Sequence, residues 1–210
     1  MLAAEELQSE RRRAAILARE LFEESGEEVG LSQLIATGRI PRRRIEEAFV
    51  DNDDLFDAMV ELWFEPLVEI MEEVLAADLP PNRKMYEFFA RRFIVNRQRY
   101  RADPSSFAKM CEAGAARFER VRSFVDLADH YLCELIAQAQ ADGYFAGLKI
   151  DATLSLINQM VGCYTMPETL TYLDEKLSEQ KLARIVDTIF TGLSAEDGGA
   201  SGVNRFGAAD

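Results

Sequence analysis

Arg39-Ile40-Pro41-Arg42-Arg43-Arg44 is the stretch that decides the fold, because it punctuates a series of short helical patterns over residues 14–64. Upstream of it, the spacing predicts a helix over about residues 5–25. Ala14, Leu17, Ala18, Leu21 and Phe22 share one face of that helix, and Gly26 stops it. A short second helix is expected over about residues 31–37, with Leu31, Leu34 and Ile35 apolar, before Gly38 breaks the chain. A third opens at Pro41, a favoured first-turn residue, and turns Ile45 and Phe49 inward. A helix, a tight turn and a second helix that begins with cations is a geometry that reaches into a DNA major groove.

Arg clusters are usually solvated helix faces. Within this frame, however, Arg42, Arg43 and Arg44 occupy the first positions of the third helix, and Arg reads guanine bidentately. Arg39 in the turn completes the candidate patch, and Arg11, Arg12 and Arg13 offer further phosphate contacts. The charge balance works against a generic polyanion binder. The net charge is −13, and residues 1–65 hold 8 Arg and no Lys against 16 Asp or Glu. The local field therefore decides, and Glu46 and Glu47 on the next turn cancel part of it.

Residues 14–64 resemble the DNA-binding domain of the TetR family of bacterial transcriptional repressors. Leu21-Phe22 followed by Gly26 matches the end of that family's first helix, and Leu34, Ile40, Ile45, Phe49, Asp51 and Leu55 fall at the spacing of its helix-turn-helix and fourth-helix start. The chain departs from the family pattern at Arg39 (usually Gly), Glu46 (usually a Tyr on phosphate), Asn52 (usually a Lys on phosphate) and Gly30 (usually a Thr cap). These departures spare core positions and strike the DNA-facing ones. The resemblance implies DNA contact by Arg39, Arg42, Arg43, Arg44 and the positions of Glu46 and Asn52.

The rest of the chain is helical by pattern. Asp51-Asn52-Asp53-Asp54 suits a helix N-terminus. The helix that follows contains Pro66, which is expected to kink or split it, either as a passive bend or as a hinge, since the resemblance implies that this helix joins the DNA-binding domain to the ligand domain. Five more helices follow, the last over about residues 174–193, and the tail from residue 195 has a disordered composition. The fold class is therefore all-α with about nine helices. Residues 1–50 form a helix-turn-helix domain, residues 51–194 a ligand-binding and dimerisation domain, and residues 195–210 a tail.

Phe88, Phe89, Phe93, Phe107, Met110, Phe118, Tyr131, Met160 and Tyr164 read first as helical core. Together they also suit an apolar ligand cavity between helices, with Asn96, His130, Asn158 and Gln159 able to orient a ligand. Leu154, Ile157 and Val161, with Leu182, Ile185, Val186, Ile189 and Phe190, make two apolar stripes near the end. The resemblance implies that these stripes pair two subunits, which spaces two third helices for a palindromic site about 34 Å apart. Cys111, Cys133 and Cys163 are widely spaced among apolar residues and read as buried, reduced thiols.

No catalytic constellation, phosphate loop or metal-spaced cluster is present in the sequence, so no enzyme activity, cofactor or metal is expected. No apolar run approaches a membrane span, so a cytoplasmic protein without membrane contact is expected. The expected function is a ligand-responsive regulator, a homodimeric repressor released from double-stranded DNA at a palindromic operator by a small apolar ligand. The alternative is the same fold with DNA binding lost, acting as an apolar-ligand or lipid-binding module or as a protein-interaction module.

Overall fold

The computed structural model of the chain describes residues 2–199. Among these described residues ten α-helices follow one another: α1 Leu2–Ser25, α2 Leu31–Ala36, α3 Arg42–Ala48, α4 Asn52–Ala76, α5 Pro81–Ala102, α6 Pro104–Ala116, α7 Phe118–Ala141, α8 Ile150–Thr165, α9 Leu170–Leu173 and α10 Glu179–Leu193. Among the described residues there is no strand, so the fold is all-α as the pattern predicts. The tenth helix is the four-residue α9, too short to carry a periodic signal. The last helix starts at Glu179 and not near Asp174, because the Ser178 hydroxyl accepts from the Lys181 N–H and caps it there. No described helix is long and apolar enough to cross a membrane.

Two compact units form. One takes the chain up to Leu67 together with Asp103–Arg122, and the other takes Val68–Ala102 together with the chain from Ser123 onward. The N-terminal unit thus holds α4 as far as Leu67, and α6, besides the first three helices. Its core is Ala14, Ala15, Leu17, Ala18, Phe22, Leu34, Ile40, Ile45, Phe49, Leu55 and Met59, with Met110 from α6. Burying each larger member stabilises the fold by roughly 1.5–3 kcal/mol. Gly26 and Gly38 both adopt φ +66, the left-handed conformation that ends α1 and forms the turn before α3. The C-terminal unit is centred on Phe88, Phe89, Phe93, Leu132, Ile136, Ile157, Leu182 and Ile189, all at most 2% exposed.

Pro66 does not split α4, which runs unbroken from Asn52 to Ala76. The cysteines depart from expectation as well. Cys111 and Cys133 are half-buried and Cys163 is exposed. Ile157, Val161 and Tyr164 define the buried face of α8, and Cys163 lies two residues from Val161, on the opposite side of the helix. Residues 195–199 form turns, closed by Gly198 N–H on the Ala195 carbonyl at 2.9 Å, and the remainder of the expected tail lies outside the described residues.

Arg11 fixes the N-terminal unit. Its Nη1 donates to the Ala48 carbonyl at 3.1 Å and its Nη2 to Asp54 Oδ1 at 2.6 Å, while its guanidinium stacks 4.8 Å from the centre of the Phe49 ring. Asp54 Oδ2 accepts from the Val50 N–H at 3.0 Å. One pair therefore ties α1 to the end of α3 and the start of α4. The Arg11 hydrogen bond holds the Asp54 carboxyl below its ordinary range. A depressed folded-state pKa contributes stability above the unfolded value and loses it as pH falls through the folded one. Asp54→Asn is expected to cost about 1–3 kcal/mol at pH 7. In urea titrations the gap to wild type should close below about pH 4. A gap that persists unchanged at low pH would rule out the charged pair as its source.

Candidate nucleic-acid interface

The turn and α3 are shaped by backbone constraints. Pro41, at φ −56, precedes the first helical residue, so Arg42, Arg43 and Arg44 fill the first turn of α3. Ile45 and Ala48 face the core at 0% and 8% exposure, which leaves the arginines outward. The side chains of Arg42, Arg43 and Arg44 are 73%, 88% and 44% exposed.

Each arginine of the run meets a carboxylate. Arg42 Nε lies 2.7 Å from Glu46 Oε1, and Arg43 Nε lies 2.7 Å from Glu47 Oε1. Arg44 Nη2 lies 3.1 Å from Glu6 Oε1, and Arg39 Nη1 lies 3.3 Å from Glu20 Oε2. The Glu47 hydrogen bond raises the Arg43 guanidinium above its usual value. Glu46 and Glu47 were legible as local neighbours, whereas Glu6 and Glu20 come from α1. These are exposed pairs that exchange with solvent and open at little cost, so the patch is screened and not removed.

Asn52 has a structural partner. Its Oδ1 accepts from the Leu31 N–H at 2.9 Å, which caps α2 from the first residue of α4. Gly30, the residue at the α2 N-cap, has no side chain to do this, and Gln33 Oε1 accepts the Gly30 N–H at 2.5 Å. A Cβ at Gly30 would stand 3.0 Å from Asn52 Oδ1, so the two departures from the family pattern fit each other. Of the other arginines named from sequence, Arg11 is the staple described above, Arg12 makes a bidentate pair with Glu65 at 2.6 and 2.7 Å, and Arg13 is exposed.

The expected ligand residues are divided between the two compact units. Phe107 and Met110 belong to the N-terminal unit, where Phe107 packs 5.6 Å from Trp63, and Phe118 is 46% exposed with Arg122 against its ring. Phe88, Phe89, Phe93 and Tyr164 are buried together in the C-terminal unit, with Phe93 and Tyr164 edge to face at 5.1 Å. There Asn158 donates to Asp129 at 2.9 Å, while the half-buried Tyr131 donates to Glu72 at 3.0 Å. His130 is exposed and Met160 is 45% exposed. Of the expected dimer stripes, Ile157, Val161, Leu182, Val186, Ile189 and Phe190 are buried within the single chain, and Leu154 and Ile185 are half-buried.

The family model described as tetracycline-repressor-like, C-terminal domain matches residues 81–186, half of the chain. No curated protein matches the sequence. Among solved structures, the fatty acid degradation regulator FadR from Bacillus halodurans is similar in fold, with a TM-score of 0.61 at 12% identity over 87% of this chain and 93% of that one. A protein from Syntrophomonas wolfei described as a TetR-family transcriptional regulator gives 0.57 at 14% identity, over 89% of this chain and 96% of that one. With that C-terminal domain matched over half its length, the chain belongs to the tetracycline-repressor-like (TetR) family of transcriptional regulators.

Proposed function

We propose that this chain is a ligand-responsive DNA-binding repressor that acts as a homodimer on a palindromic operator. The observation that carries the reading is α3 itself. Ile45 and Ala48 anchor a helix whose first turn presents three exposed arginines behind a Pro41 start. In this reading residues 1–50 contact DNA and residues 51–194 bind ligand and pair the subunits. The partner-facing surface takes the half-exposed Leu154 and Ile185 together with the exposed Leu156 and Met160, and the buried members of the two stripes support it from behind. A small apolar ligand enters among Phe88, Phe89, Phe93 and Tyr164. It biases α4 about Pro66 and so changes the separation of the two α3 helices. Such release requires that the ligand bind the two states with different affinity.

A second reading keeps the fold and loses DNA binding, leaving an apolar-ligand or protein-interaction module. It is favoured by the carboxylate on every arginine of the run and by Asn52 being engaged as a cap. Selection of sites from a random duplex library, followed by a salt titration, separates the two. The repressor reading expects an enriched palindrome whose affinity falls steeply with salt. A folded dimer, refolded from denaturant to strip any carried ligand, that enriches no site at low salt would establish the second reading.

A further inference from the structure

Arg92 was not singled out by its sequence context, yet it is the most unusual charge in the C-terminal unit. It lies on α5 four residues after Phe88 and four before Asn96, so the three share a face. Its guanidinium stands 4.8 Å over the centre of the Phe88 ring. Its Nε–H is shielded from solvent and meets no acceptor among the described residues. Asn96 is 7% exposed, and its Oδ1 is buried and likewise unmatched. The adjoining row of α5 is Met85, Phe89 and Phe93, all buried.

Arg92 is half-buried, and an Nε–H held away from water without an acceptor is costly to the fold. Burial pushes Arg92 down to about 10, against the smaller opposing effect of Asp129. Asp129 acts from a distance, and its Oδ1 is already held by Asn158 Nδ2 at 2.9 Å. Arg92 and Asn96 therefore offer two unmet hydrogen-bonding groups one helical turn apart, against an aromatic wall. Turning the Asn96 amide by a half rotation exchanges its oxygen for an N–H donor, since the two orientations are nearly isosteric.

We propose that the C-terminal unit binds an amphipathic monocarboxylate, with its apolar chain against Phe88, Phe89, Phe93 and Tyr164 and its carboxylate accepting from Arg92 Nε–H and the Asn96 amide. This rests on the ligand-responsive reading for its regulatory meaning but not for the binding itself. A single guanidinium matches one negative charge, which selects a carboxylate over a phosphate dianion. A neutral head group would leave the arginine uncompensated.

The test is calorimetric titration of full-length protein, refolded from guanidinium, with decanoate and with 1-decanol. Wild type is expected to bind decanoate at least about 10-fold more tightly, the scale of one charge-assisted contact. Arg92→Met keeps an unbranched chain as far as the position of Nε and removes the guanidinium with its charge. It should bind decanol as wild type does and hold the two probes within about threefold. If that variant fails to fold, Asn96→Asp, which places a competing carboxylate beside Arg92, should lose decanoate and keep decanol. Equal binding of both probes by wild type, binding of neither, or a preference for decanoate that survives in the variants would overturn the site. Decanoate binding that leaves duplex affinity unchanged would instead overturn the ligand-responsive reading and leave the site standing.

Discussion

Changing Arg42, Arg43 and Arg44 together to Ala is expected to weaken binding to the selected duplex by about 100-fold to 10,000-fold, and changing Glu46 and Glu47 to Gln is expected to strengthen it by about 10-fold. Both follow from the charge arrangement on α3. Each arginine that reaches a base edge or phosphate contributes a charge-assisted contact, and two copies per dimer double the loss. Glu46 and Glu47 hold Arg42 and Arg43 at 2.7 Å, well inside a Debye length of about 8 Å, so they repel the same phosphates that the arginines attract. Fluorescence anisotropy at two salt concentrations measures both effects. The Gln variant should steepen the dependence on salt, because fewer protein carboxylates compete with phosphate for the guanidinium groups. Neither variant should unfold α3, since Ile45, Ala48 and Phe49 hold it from the core side. A triple Ala variant that binds as tightly as wild type would remove α3 as the reading element. A Gln variant that binds no better would mean that the carboxylates turn away on the duplex.

Local signals in the sequence carried the N-terminal helices well. Gly26, Gly38 and Pro41 act on their own backbone, and their effects are visible within a few residues. Side-chain pairing over long separations was not legible. Asn52 stands at a position that the family resemblance assigns to phosphate, but here it caps α2 across 21 residues, and Gly30 is what makes room for it. Arg11, which the sequence offers as a phosphate contact, is the staple that positions α3. Glu6 and Glu20 reach the basic run from α1, and periodicity gives no account of which exposed carboxylate meets which exposed guanidinium. The apolar stripes were ambiguous for a different reason. Ile157, Val161, Leu182 and Val186 have the spacing of any helix that packs on another, and spacing does not distinguish a neighbour in the same chain from a neighbour in the next. Phe107 and Phe88 belong to one apolar composition but to different compact units, which a list of aromatic residues cannot separate.

Phe145→Ala is expected to destabilise the C-terminal unit by about 3–5 kcal/mol, and Phe145→Gly by no more than that, although glycine removes one atom more. Phe145 sits in the turn between α7 and α8 at φ 55 and is 0% exposed. Its ring lies 4.8 Å from the Phe190 ring, which also meets Tyr144 at 5.0 Å, and its N–H donates to Ser194 Oγ at 3.2 Å. A left-handed residue other than glycine costs roughly 1–2 kcal/mol, so the ring's burial is what holds the backbone there. Alanine loses the ring and keeps the backbone cost. Glycine loses the ring, sheds the backbone cost, and gives back part of that gain through the freedom of its unfolded chain. At an ordinary helical site the order of the two variants is reversed, by about 1 kcal/mol in favour of alanine. Urea unfolding followed by circular dichroism measures both. A glycine variant clearly less stable than the alanine one would mean that the left-handed turn carries no cost. An alanine variant within about 1 kcal/mol of wild type would mean that the turn is set by its backbone bonds and that the packing of Phe145 on Phe190 is incidental. The same turn joins the helices that carry Asp129 and Asn158, which meet at 2.9 Å, and Asp129 is the charge that acts on Arg92. Phe145→Ala should therefore also weaken the preference for decanoate over decanol, by loosening that register rather than by touching the ligand.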